Sequence, residues 1–585
     1  MLFYDFEVFR YDWLVVIIDM VNKCEHVIVN DVDALREIYD KHVNDIWIGY
    51  NSRSYDQYIL KALLCGFDAY NMNEHIIVKG KKGWQFSSLL RKVPLNNYDV
   101  VTSFHSLKQL EGFMGNDIRE SSVPFDIDRK LTPEELAETI KYCRHDVEQT
   151  IEVFIKRKEE FESQLSLVKA FKLPISYISK TKAQLAAIIL GAYKKPHDDE
   201  FEIQFPDTLR ITKYQEVLNW YKNPLNRDYK KELKVDVAGV PHTFAWGGLH
   251  GAIDKYHGEG YFLNIDVASY YPALMIEYDF GSRNISDPDR YRRIRDRRLE
   301  LKAEKNPMQQ PYKIVLNSTY GAMKDRHNAL YDPRQANNVC VSGQLFLLDL
   351  IEMLEDHCQL IQSNTDGLIV KLNSLDDYDL IDDICYEWEK RTRLELEFEL
   401  YRKIYQKDVN NYIIVDFDGK YTSKGAYVKK LDDLDYDLPI VNKAIVEYLM
   451  NNVPPEVTIN ECNALREFQK IVKVSNKYLY ALYNPTVTNE RIQGESGRYR
   501  TITVFKGGEI QKEKCFRVFA STLDSHGGLF KVKNEIRNPE KFANTPERCF
   551  IDNGDIAGKE VPTYLDRDWY IDLAKKRLKD FGVVL

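Results

Sequence analysis

Apolar positions change their spacing along the chain, and each change predicts an element. Short apolar runs with aromatic residues between Met1 and Met20 predict strands, as does the run Ile46–Gly49. Thr132-Pro133-Glu134-Glu135 predicts the start of a helix, with Thr132 as N-cap, Pro133 in the first turn and Glu135 closing a capping box. Apolar residues then recur at near-helical spacing to about Phe161.

The middle of the chain predicts a strand, helices and a hairpin. Tyr261–Ile276 favours a strand followed by a turn and a short helix. Tyr291–Lys305 and Tyr312–Met323 favour an antiparallel helix pair. Cys358–Leu372 favours a β-hairpin, because two apolar runs flank a short polar turn. The fold class predicted from these elements is α/β and multidomain.

Length and composition support an intracellular, multidomain protein. A chain of 585 residues is too long for one hydrophobic core, so roughly three or four domains are expected. Asp5 and Glu7 stand where a secretory signal would need a basic start, and no apolar run is long enough for a membrane span. The nine cysteines form no CxxC pair, which argues against a zinc ribbon or a disulfide framework. We expect a cytoplasmic location.

The distribution of charged residues allows two interpretations of one basic segment. The net charge of −9 argues against a nucleic-acid partner, but residues 290–313 are dense in Arg and Lys. A solvated helix face explains such a run, and so does a site for a polyanion. Composition does not decide between these readings.

Four carboxylates near the N-terminus are spaced to converge. Asp5 and Glu7 lie two apart and share one face of a strand, although such a pair alone is more often surface. Asp56 follows the Ile46–Gly49 strand, and Tyr142 and Asp146 lie four apart on one helix face. Carboxylates gathered in this way repel unless divalent metals neutralise them.

A second set of motifs lies further along the chain. Asp266 opens Asp-Val-Ala-Ser-Tyr-Tyr-Pro, and Asp366 lies in the turn Asn364-Thr365-Asp366. Between them, four residues form one stripe along a helix and can meet a nucleotide: Lys313, Asn317, Tyr320 and Gly321.

In this order, the motifs resemble those of B-family DNA polymerases. The first set resembles the three exonuclease motifs, and the second resembles DxxSLYP, KxxxNSxYG and DTD, with Tyr270 for leucine and Asn364 for the first aspartate. The resemblance implies an RNase H-like 3′→5′ exonuclease domain followed by a right-hand polymerase. The implied domains are exonuclease 1–165, a linker 166–240, palm 241–289 and 336–440, fingers 290–335, and a thumb and C-terminal region 441–585.

The resemblance also assigns roles to residues. In the exonuclease it implies metal ligation by Asp5, Glu7, Asp56 and Asp146, a water-orienting role for Tyr142, and DNA contacts by Asn51, Ser106 and Leu107. In the polymerase it implies metal ligation by Asp266, Val267 and Asp366, with Lys313 also catalytic. It implies nucleotide binding by Val267, Tyr271, Arg298, Lys302, Lys313, Asn317 and Tyr320, and DNA binding by Gly247, Gly248, Gly321, Lys407, Tyr412 and Lys424. The implied cofactor is Mg²⁺, or Mn²⁺, with two ions at each site.

The implied partners are primer-template DNA and dNTPs. A phage or viral replicase would also meet a helicase, a single-strand-binding protein and a processivity factor, and we expect a monomer that contacts no membrane. Protein-primed relatives carry insertions between these motifs. The interval from Asp266 to Lys313 leaves no room for the first insertion and the interval from Lys313 to Asp366 leaves little for the second, so no terminal-protein primer is expected.

Three alternatives bear on this interpretation. The exonuclease alone is active if Asn364 impairs the polymerase half, which would then serve as a DNA-binding scaffold. We expect instead that activity survives, because Asp366 is present. A silent replication adaptor would need neither set of carboxylates, and a reverse transcriptase lacks the KxxxNSxYG helix.

Overall fold

The computed structural model describes residues 1–101, 105–493, 499–533 and 538–584. The chain forms two compact units. Unit one comprises Met1–Phe161, Pro174–Ser179 and Leu431–Ala574, and unit two comprises Glu162–Leu173, Lys180–Lys430 and Lys575–Leu585. The mixed α/β, multi-unit architecture predicted from the sequence is therefore confirmed, while the finer domain boundaries stay a prediction.

The first part of the chain alternates strands and helices. In chain order these are β1 (Leu2–Val8), β2 (Trp13–Asp19), β3 (Cys24–Val29), α1 (Val32–Lys41), β4 (Ile46–Gly49), α2 (Asp56–Leu64), α3 (Ala69–Asn73), β5 (Asn96–Asp99), α4 (Leu107–Met114), α5 (Pro133–Lys156) and α6 (Lys158–Ala170). A π turn (Glu74–Val78) and two 3₁₀ turns (Gly83–Gln85, Ser88–Lys92) lie between α3 and β5. The strands form a sheet of order β3-β2-β1-β4-β5, in which β1–β3 are antiparallel and β4 and β5 run parallel to β1.

Helix α5 shows both a correct prediction and a wrong one. Thr132 caps it by accepting a hydrogen bond from the Glu135 N–H, and the predicted capping box is present. The helix ends at Lys156, however, and not near Phe161. The backbone leaves helical geometry at Arg157, with φ −109° and ψ 18°, and a second helix starts after it. The Arg157 guanidinium donates to the carbonyls of Val100 and Val101.

The middle of the chain builds unit two. Its elements are α7 (Lys182–Ile189), α8 (Gln215–Lys222), β6 (Glu232–Val237), β7 (Val240–Ala245), β8 (His250–Ala252), β9 (Tyr256–Val267), α9 (Tyr270–Glu277), α10 (Asp289–Ala303), α11 (Gln309–Lys324), α12 (Pro333–Leu354), β10 (Gln359–Asn364), β11 (Gly367–Leu372), α13 (Tyr378–Thr392), β12 (Leu396–Asp408), β13 (Asn411–Val415) and β14 (Tyr421–Lys424). The predicted strand–turn–helix, helix pair and hairpin are all present. The sheet order is β14-β13-β12-β9-β11-β10-β8-β7-β6, with β9 between β11 and β12. Nearly every residue of α12 is buried, which makes this helix the main support of the unit.

The last part of the chain belongs mostly to unit one. Its elements are α14 (Pro439–Asn451), α15 (Pro455–Glu461), β15 (Lys470–Lys473), β16 (Tyr480–Tyr483), β17 (Thr486–Gln493), β18 (Tyr499–Lys506), β19 (Glu509–Gln511), β20 (Cys515–Ala520), β21 (Leu529–Val532), β22 (Glu540–Lys541), β23 (Cys549–Ile551) and α16 (Arg567–Lys579). Further 3₁₀ turns are Ile175–Ser179, Pro224–Asn226, Leu375–Asp377 and Leu465–Phe468. These strands form two short sheets, of order β15-β20-β23 and β19-β16-β21-β22, and β17 pairs with β18 in a third.

A buried arginine joins two of the three chain segments of unit one. Arg517 on β20 is fully buried. Its guanidinium donates to the carbonyls of Gly112 and Asn116 at the end of α4, and to those of Asp552 and Gly554. Because carbonyls carry only partial charge, burial lowers the pKa of Arg517 to about 10. Helix α4 is therefore fixed by a residue that lies far away in sequence.

Among the residues that the structure describes, no helix is both long enough and apolar enough to cross a membrane.

Candidate active sites

Four carboxylates of unit one converge on the sheet. Asp5 and Glu7 alternate along β1, Asp56 begins α2, and Asp146 lies in α5. The Phe6 N–H donates to Asp56 Oδ1 at 3.1 Å, which fixes that carboxylate against β1. Glu7, Asp56 and Asp146 are buried, and Asp5 is half-buried.

Burial and mutual repulsion raise the pKa of every carboxyl in this cluster. The pKa of Asp56 rises to about 7 and that of Asp146 to about 6, with burial the main cause in both. The pKa values of Asp5 and Glu7 are raised well above their usual range, by burial first and then by the neighbouring carboxylates. The cluster therefore gains a strong electrostatic benefit from cations.

One cation of the chain already lies among these carboxylates. Lys108 on α4 places Nζ 2.5 Å from Asp146 Oδ1 and 3.0 Å from Glu111 Oε1. The same ammonium lies 4.7 Å from the ring centre of Tyr142. Burial lowers the pKa of Lys108, but the two carboxylates outweigh it and the net shift is upward. Lys108 is therefore charged, and its charge opposes the rise in the pKa of Asp5 and Glu7.

The donor set suits hard divalent ions. Ligand atoms of Asp5, Glu7 and Cys143 lie within 4.8 Å of one another, as do those of Glu111, His145 and Asp146. Burial raises the pKa of Cys143, so its sulfur is a neutral thiol, and Sγ donates to the Asp5 carbonyl at 3.3 Å. The anionic donors are thus carboxylate oxygens, which fit Mg²⁺ or Mn²⁺.

The other residues predicted for this site lie on α5, before α2 and at the start of α4. Tyr142 is one turn before Asp146 on α5, and burial raises the pKa of its hydroxyl, which stays protonated. Asn51 adopts φ 59° and donates its N–H to Asp99 Oδ1 at 2.8 Å, leaving the side chain exposed. Ser106 caps α4 and Leu107 is its first, buried residue. This capping places Lys108 in the first turn of α4.

In unit two, the second carboxylate pair lies where three strands meet. Asp266 near the end of β9 pairs with Gly367 on β11 and with Glu397 on β12. A methyl group on Gly367 would lie 2.0 Å from Asp266 Oδ1, so only glycine fits there. The Val267 N–H donates to the Asp366 carbonyl at 2.8 Å, which ties the hairpin turn to β9.

The environment of Asp266 is also acidic. Burial raises the pKa of Asp266 to about 6, and Asp366, Glu399 and Glu397 add to the rise. Asn264 Nδ2 opposes it by donating to Asp266 Oδ2 at 2.6 Å. The second site, like the first, would therefore gain from divalent cations on carboxylate oxygens.

A cleft of about 510 Å³ opens beside this pair. It is lined by Val267, Ser269, Tyr270, Tyr271, Pro272, Arg298, Lys302, Lys313, Leu316, Asn317, Tyr320, Thr365, Asp366 and Glu397. Cations of α10 and α11 thus share one cavity with Asp366, and Asp266 lies next to it. Tyr271 and Tyr320 pack with ring centres 4.4 Å apart. The lining therefore combines three groups of side chains. They are called here the cationic wall (Arg298, Lys302 and Lys313), the acidic wall (Asp366 and Glu397) and the aromatic wall (Tyr271 and Tyr320).

The hairpin turn is held from two sides. Asn364 Oδ1 accepts the Thr365 N–H at 2.9 Å, and the Asn364 side chain also hydrogen-bonds His250. A methyl group on Gly248 would lie 2.6 Å from Thr365 Oγ1, so this glycine permits close packing on the turn. A methyl group on Gly247 would lie in open space.

Gly321, Tyr412 and Lys424 are further residues predicted to contact DNA. Gly321 is exposed on α11, with open space where a side chain would be. Tyr412 lies close enough to Asp266 and Asp366 for their charges to add to the burial that raises its pKa, and Lys424 lies opposite it on β14 with Nζ 6.0 Å from the ring centre.

Lys407 is occupied elsewhere. Its ammonium bonds Asp408 at 2.7 Å and lies 5.3 Å from the ring centre of Tyr427. Among the cationic residues predicted for the polymerase, Lys407 is the one that forms an ion pair within the part of the chain that the structure describes.

Comparisons with solved structures show a similarity to a DNA polymerase. The chain is similar to the family B DNA polymerase from the hyperthermophilic archaeon Pyrobaculum calidifontis, with 15% sequence identity, coverage of 100% of this chain and 78% of that chain, and a TM-score of 0.41. No protein-family model matches the chain, and no curated protein matches it.

Sequence reasoning missed several residues of the two sites. Lys108 and Glu111 follow Ser106-Leu107 at a spacing of three, which resembles an ordinary surface pair on a helix. Glu397 and Glu399 alternate on β12, and this period of two was the available signal for a shared strand face. Cys143, adjacent to Tyr142, carried no signal of its own.

Proposed function

We propose that this chain is a template-directed DNA polymerase that adds dNTPs to a primer 3′ end and carries a 3′→5′ exonuclease. The observation that carries the proposal is the cleft that Arg298, Lys302 and Lys313 line together with Asp366. Cations on one wall and carboxylates on the other are what a triphosphate and its metal ions require. The B-family motifs of the sequence support the same assignment.

In this proposal the cationic wall binds the triphosphate. Arg298 offers a planar fork for two phosphate oxygens, and Lys302 and Lys313 offer point charges. Arg298 Nη1 donates to Ser269 Oγ at 3.4 Å, and this hydrogen bond holds the guanidinium near the turn that follows β9. The three cations position the phosphates and offset charge that develops on them during transfer.

The aromatic wall selects the sugar. Tyr271 packs against Tyr320, so its ring has little freedom to move away from a nucleotide in the cleft. A ring held in this way excludes a ribose 2′-hydroxyl on steric grounds, which favours dNTPs. Asn317 and Tyr320, on the same helix face, flank the base, and exposed Gly321 lets the template strand approach.

Asp266 and Asp366, with the Val267 main chain beside them, would hold two Mg²⁺ ions, which supply activation of the primer 3′-hydroxyl and charge neutralisation at the α-phosphate. Asp266 is kept from rotating by Asn264, and the Gly367 backbone closes its other side. Tyr412 and Lys424 lie on the strands next to this pair and would contact the primer.

The carboxylate cluster of unit one is proposed to remove mispaired 3′ ends. Asp5, Glu7, Asp56 and Asp146 would hold the divalent ions of this hydrolysis. Tyr142 keeps its proton and donates a hydrogen bond toward the reacting centre, and Lys108 offsets negative charge next to Asp146. We further propose a phage or viral replicase that uses an ordinary primer and acts with other replication proteins.

Primer extension and primer degradation test both halves in one assay. Wild type, Asp5→Ala and Asp266→Ala are each given a labelled primer-template with Mg²⁺ or Mn²⁺, with and without dNTPs. Asp266→Ala should lose extension and keep degradation, and Asp5→Ala should do the reverse. Loss of both activities in either variant, with folding intact, would contradict two separate sites.

A second candidate function rests on Asn364. An exonuclease with an impaired polymerase half would degrade the primer but show no dNTP-dependent extension. The hydrogen bonds of Asn364 to Thr365 and His250 favour this candidate less, because they keep the hairpin turn ordered without an aspartate.

A further inference from the structure

Residues 74–92 of unit one form a basic surface, called here the 74–92 surface. Its charged residues are Glu74 and five exposed cations: Lys79, Lys81, Lys82, Arg91 and Lys92. In the described part of the chain, only one of these cations forms an ion pair, between Lys79 and Glu74 at 2.8 Å. A chain with a net charge of −9 thus carries a local excess of unpaired positive charge.

Large apolar side chains are exposed among these cations. Ile77 is 63% exposed, Val78 71% and Trp84 53%. Leu89 is exposed as well. One exposed apolar residue is ordinary on a protein surface, but four within a single basic segment indicate an interaction site. Tryptophan adds a flat face on which a nucleobase can stack.

The backbone of this surface is held in place. Gly83 is buried, and a methyl group there would lie 2.4 Å from the ring of Tyr58, so the segment closes tightly on α2. The Lys81 N–H donates to the His75 carbonyl at 3.1 Å, and the rings of His75 and Phe86 meet edge to face at 5.3 Å. Trp84, next to Gly83, is therefore presented on a fixed backbone, which lowers the entropic cost of binding.

The 74–92 surface is joined to the helix that carries Asp56. Tyr58, against which Gly83 packs, lies in the first turn of α2, and Asp56 begins that helix. Tyr55, immediately before the helix, donates its hydroxyl to Asn73 Oδ1 at 2.8 Å, one residue before the surface begins. The surface is therefore packed on the first turn of the helix that begins at Asp56.

We infer that the 74–92 surface binds single-stranded DNA, with a base stacked on Trp84 and phosphates held by Lys81, Lys82, Arg91 and Lys92. A duplex hides its base faces and would use only the cations, whereas a single strand uses the cations and the indole together. The choice of DNA over RNA rests on the proposed function, because the surface chemistry is the same for both.

Fluorescence anisotropy tests this inference on the full chain. The background is Asp5→Ala with Asp266→Ala, without divalent ions, so that the probe, a labelled oligothymidylate, is neither degraded nor extended. Trp84→Ala should weaken binding roughly 5- to 150-fold, and Trp84→Phe should restore most of it, because stacking needs only a ring.

Salt dependence tests the cations. Lys81→Ala with Lys82→Ala should reduce the slope of log affinity against log salt by about 1.4, the value for two lost phosphate contacts on a single strand. The matched control is Lys23→Ala with Lys41→Ala, which removes two exposed lysines elsewhere on unit one and should leave the slope unchanged.

A cross-linking experiment locates the contact. An oligonucleotide with 5-iododeoxyuridine should cross-link to the peptide that contains Trp84. Unchanged affinity in Trp84→Ala and in the double lysine variant would overturn the inference and leave the surface for a protein partner. Equal, Trp84-dependent binding of oligouridylate would keep the stacking site and overturn its restriction to DNA. Absence of both enzyme activities would overturn the proposed function alone, because the titration needs no catalysis.

Discussion

The carboxylate cluster of unit one and the cleft of unit two handle positive charge in different ways. In unit one, Lys108 lies within hydrogen-bonding distance of Asp146 and Glu111. In unit two, Arg298, Lys302 and Lys313 line the cavity that they share with Asp366. A cation placed within a carboxylate cluster stabilises the free protein, whereas cations that line a cavity are available for a ligand. The difference teaches that the same residue types can neutralise buried charge in one unit and, in our proposal, bind substrate in the other.

The largest effect is expected when Lys108, the cation within the carboxylate cluster of unit one, is replaced. Lys108→Met leaves Glu111 and Asp146 buried without their cation, and loss of one partner of a buried pair costs about 3–5 kcal/mol. We expect unit one to unfold at a lower denaturant concentration, with partial recovery when Mg²⁺ or Mn²⁺ is added. Chemical denaturation with and without divalent ions measures both. An unchanged unfolding curve would show that Lys108 does not compensate the cluster.

The matching change in unit two should affect activity and leave stability alone. Lys313→Ala removes an exposed cation from the cleft wall, and we expect kcat/KM for dNTP to fall roughly 10²–10³-fold, as for other removed charge-stabilising groups. Single-nucleotide incorporation measures this loss, with Lys305→Ala, outside the cleft, as the control. Primer degradation should be unchanged. A large loss of stability in Lys313→Ala would remove the distinction between the units.

Neutralising one carboxylate of the cluster should stabilise the protein. The folded pKa of Asp56 is about 7, above its unfolded value of about 3.9, so the folded state binds the proton more tightly. The contribution of Asp56 to stability therefore falls as pH rises from about 4 to about 7, and Asp56→Asn removes this contribution. We expect a gain of about 1–3 kcal/mol near neutral pH without divalent ions, and loss of degradation.

Thermal unfolding at pH 4 and pH 8 checks the sign of this prediction. The gain from Asp56→Asn should be present at pH 8 and nearly absent at pH 4. Asp40→Asn is the control. Asp40 is an exposed residue of α1, so this change should alter stability little at either pH. Greater stabilisation at pH 4 would contradict the assigned shift.

The smallest effect is expected at the hairpin turn. Asn364→Asp returns the residue of the B-family pattern, but Asn364 already accepts the Thr365 N–H and bonds His250, so the turn is formed without it. We expect extension with Mg²⁺ to change by less than about tenfold, which corresponds to about 1.4 kcal/mol. Primer extension by both proteins measures this. If the wild type is inert and Asn364→Asp is active, the prediction is wrong.

Local patterns in the sequence predicted the parts of the molecule that local forces determine. Strand alternation placed Asp5 and Glu7 together, the capping box located the start of α5, and helical spacing aligned Lys313, Asn317 and Tyr320, which all line the cleft. Each of these depends on neighbours within a turn or two of the chain.

Long-range pairing determined the rest. Glu397 lies beside Asp266 because of the register between β12 and β9, which no local pattern encodes. Lys108 looks like a surface lysine until α4 is packed against α5. The return of residues 431–574 to unit one was also beyond local reasoning, because the contacts that hold it, such as Arg517 to the Gly112 carbonyl, join distant parts of the chain.

The Arg517 contact has a consequence for synthesis of the protein. Helix α4 leaves the ribosome long before β20, and at about 5–20 residues per second the interval is on the order of tens of seconds. During that time the carbonyls at the end of α4 lack the guanidinium that they bind in the finished protein. The nascent N-terminal segment must therefore wait, only partly assembled, while the whole of 180–430 is translated. Slow codons within that interval would lengthen the exposure, and chaperones that hold nascent chains would be most useful there.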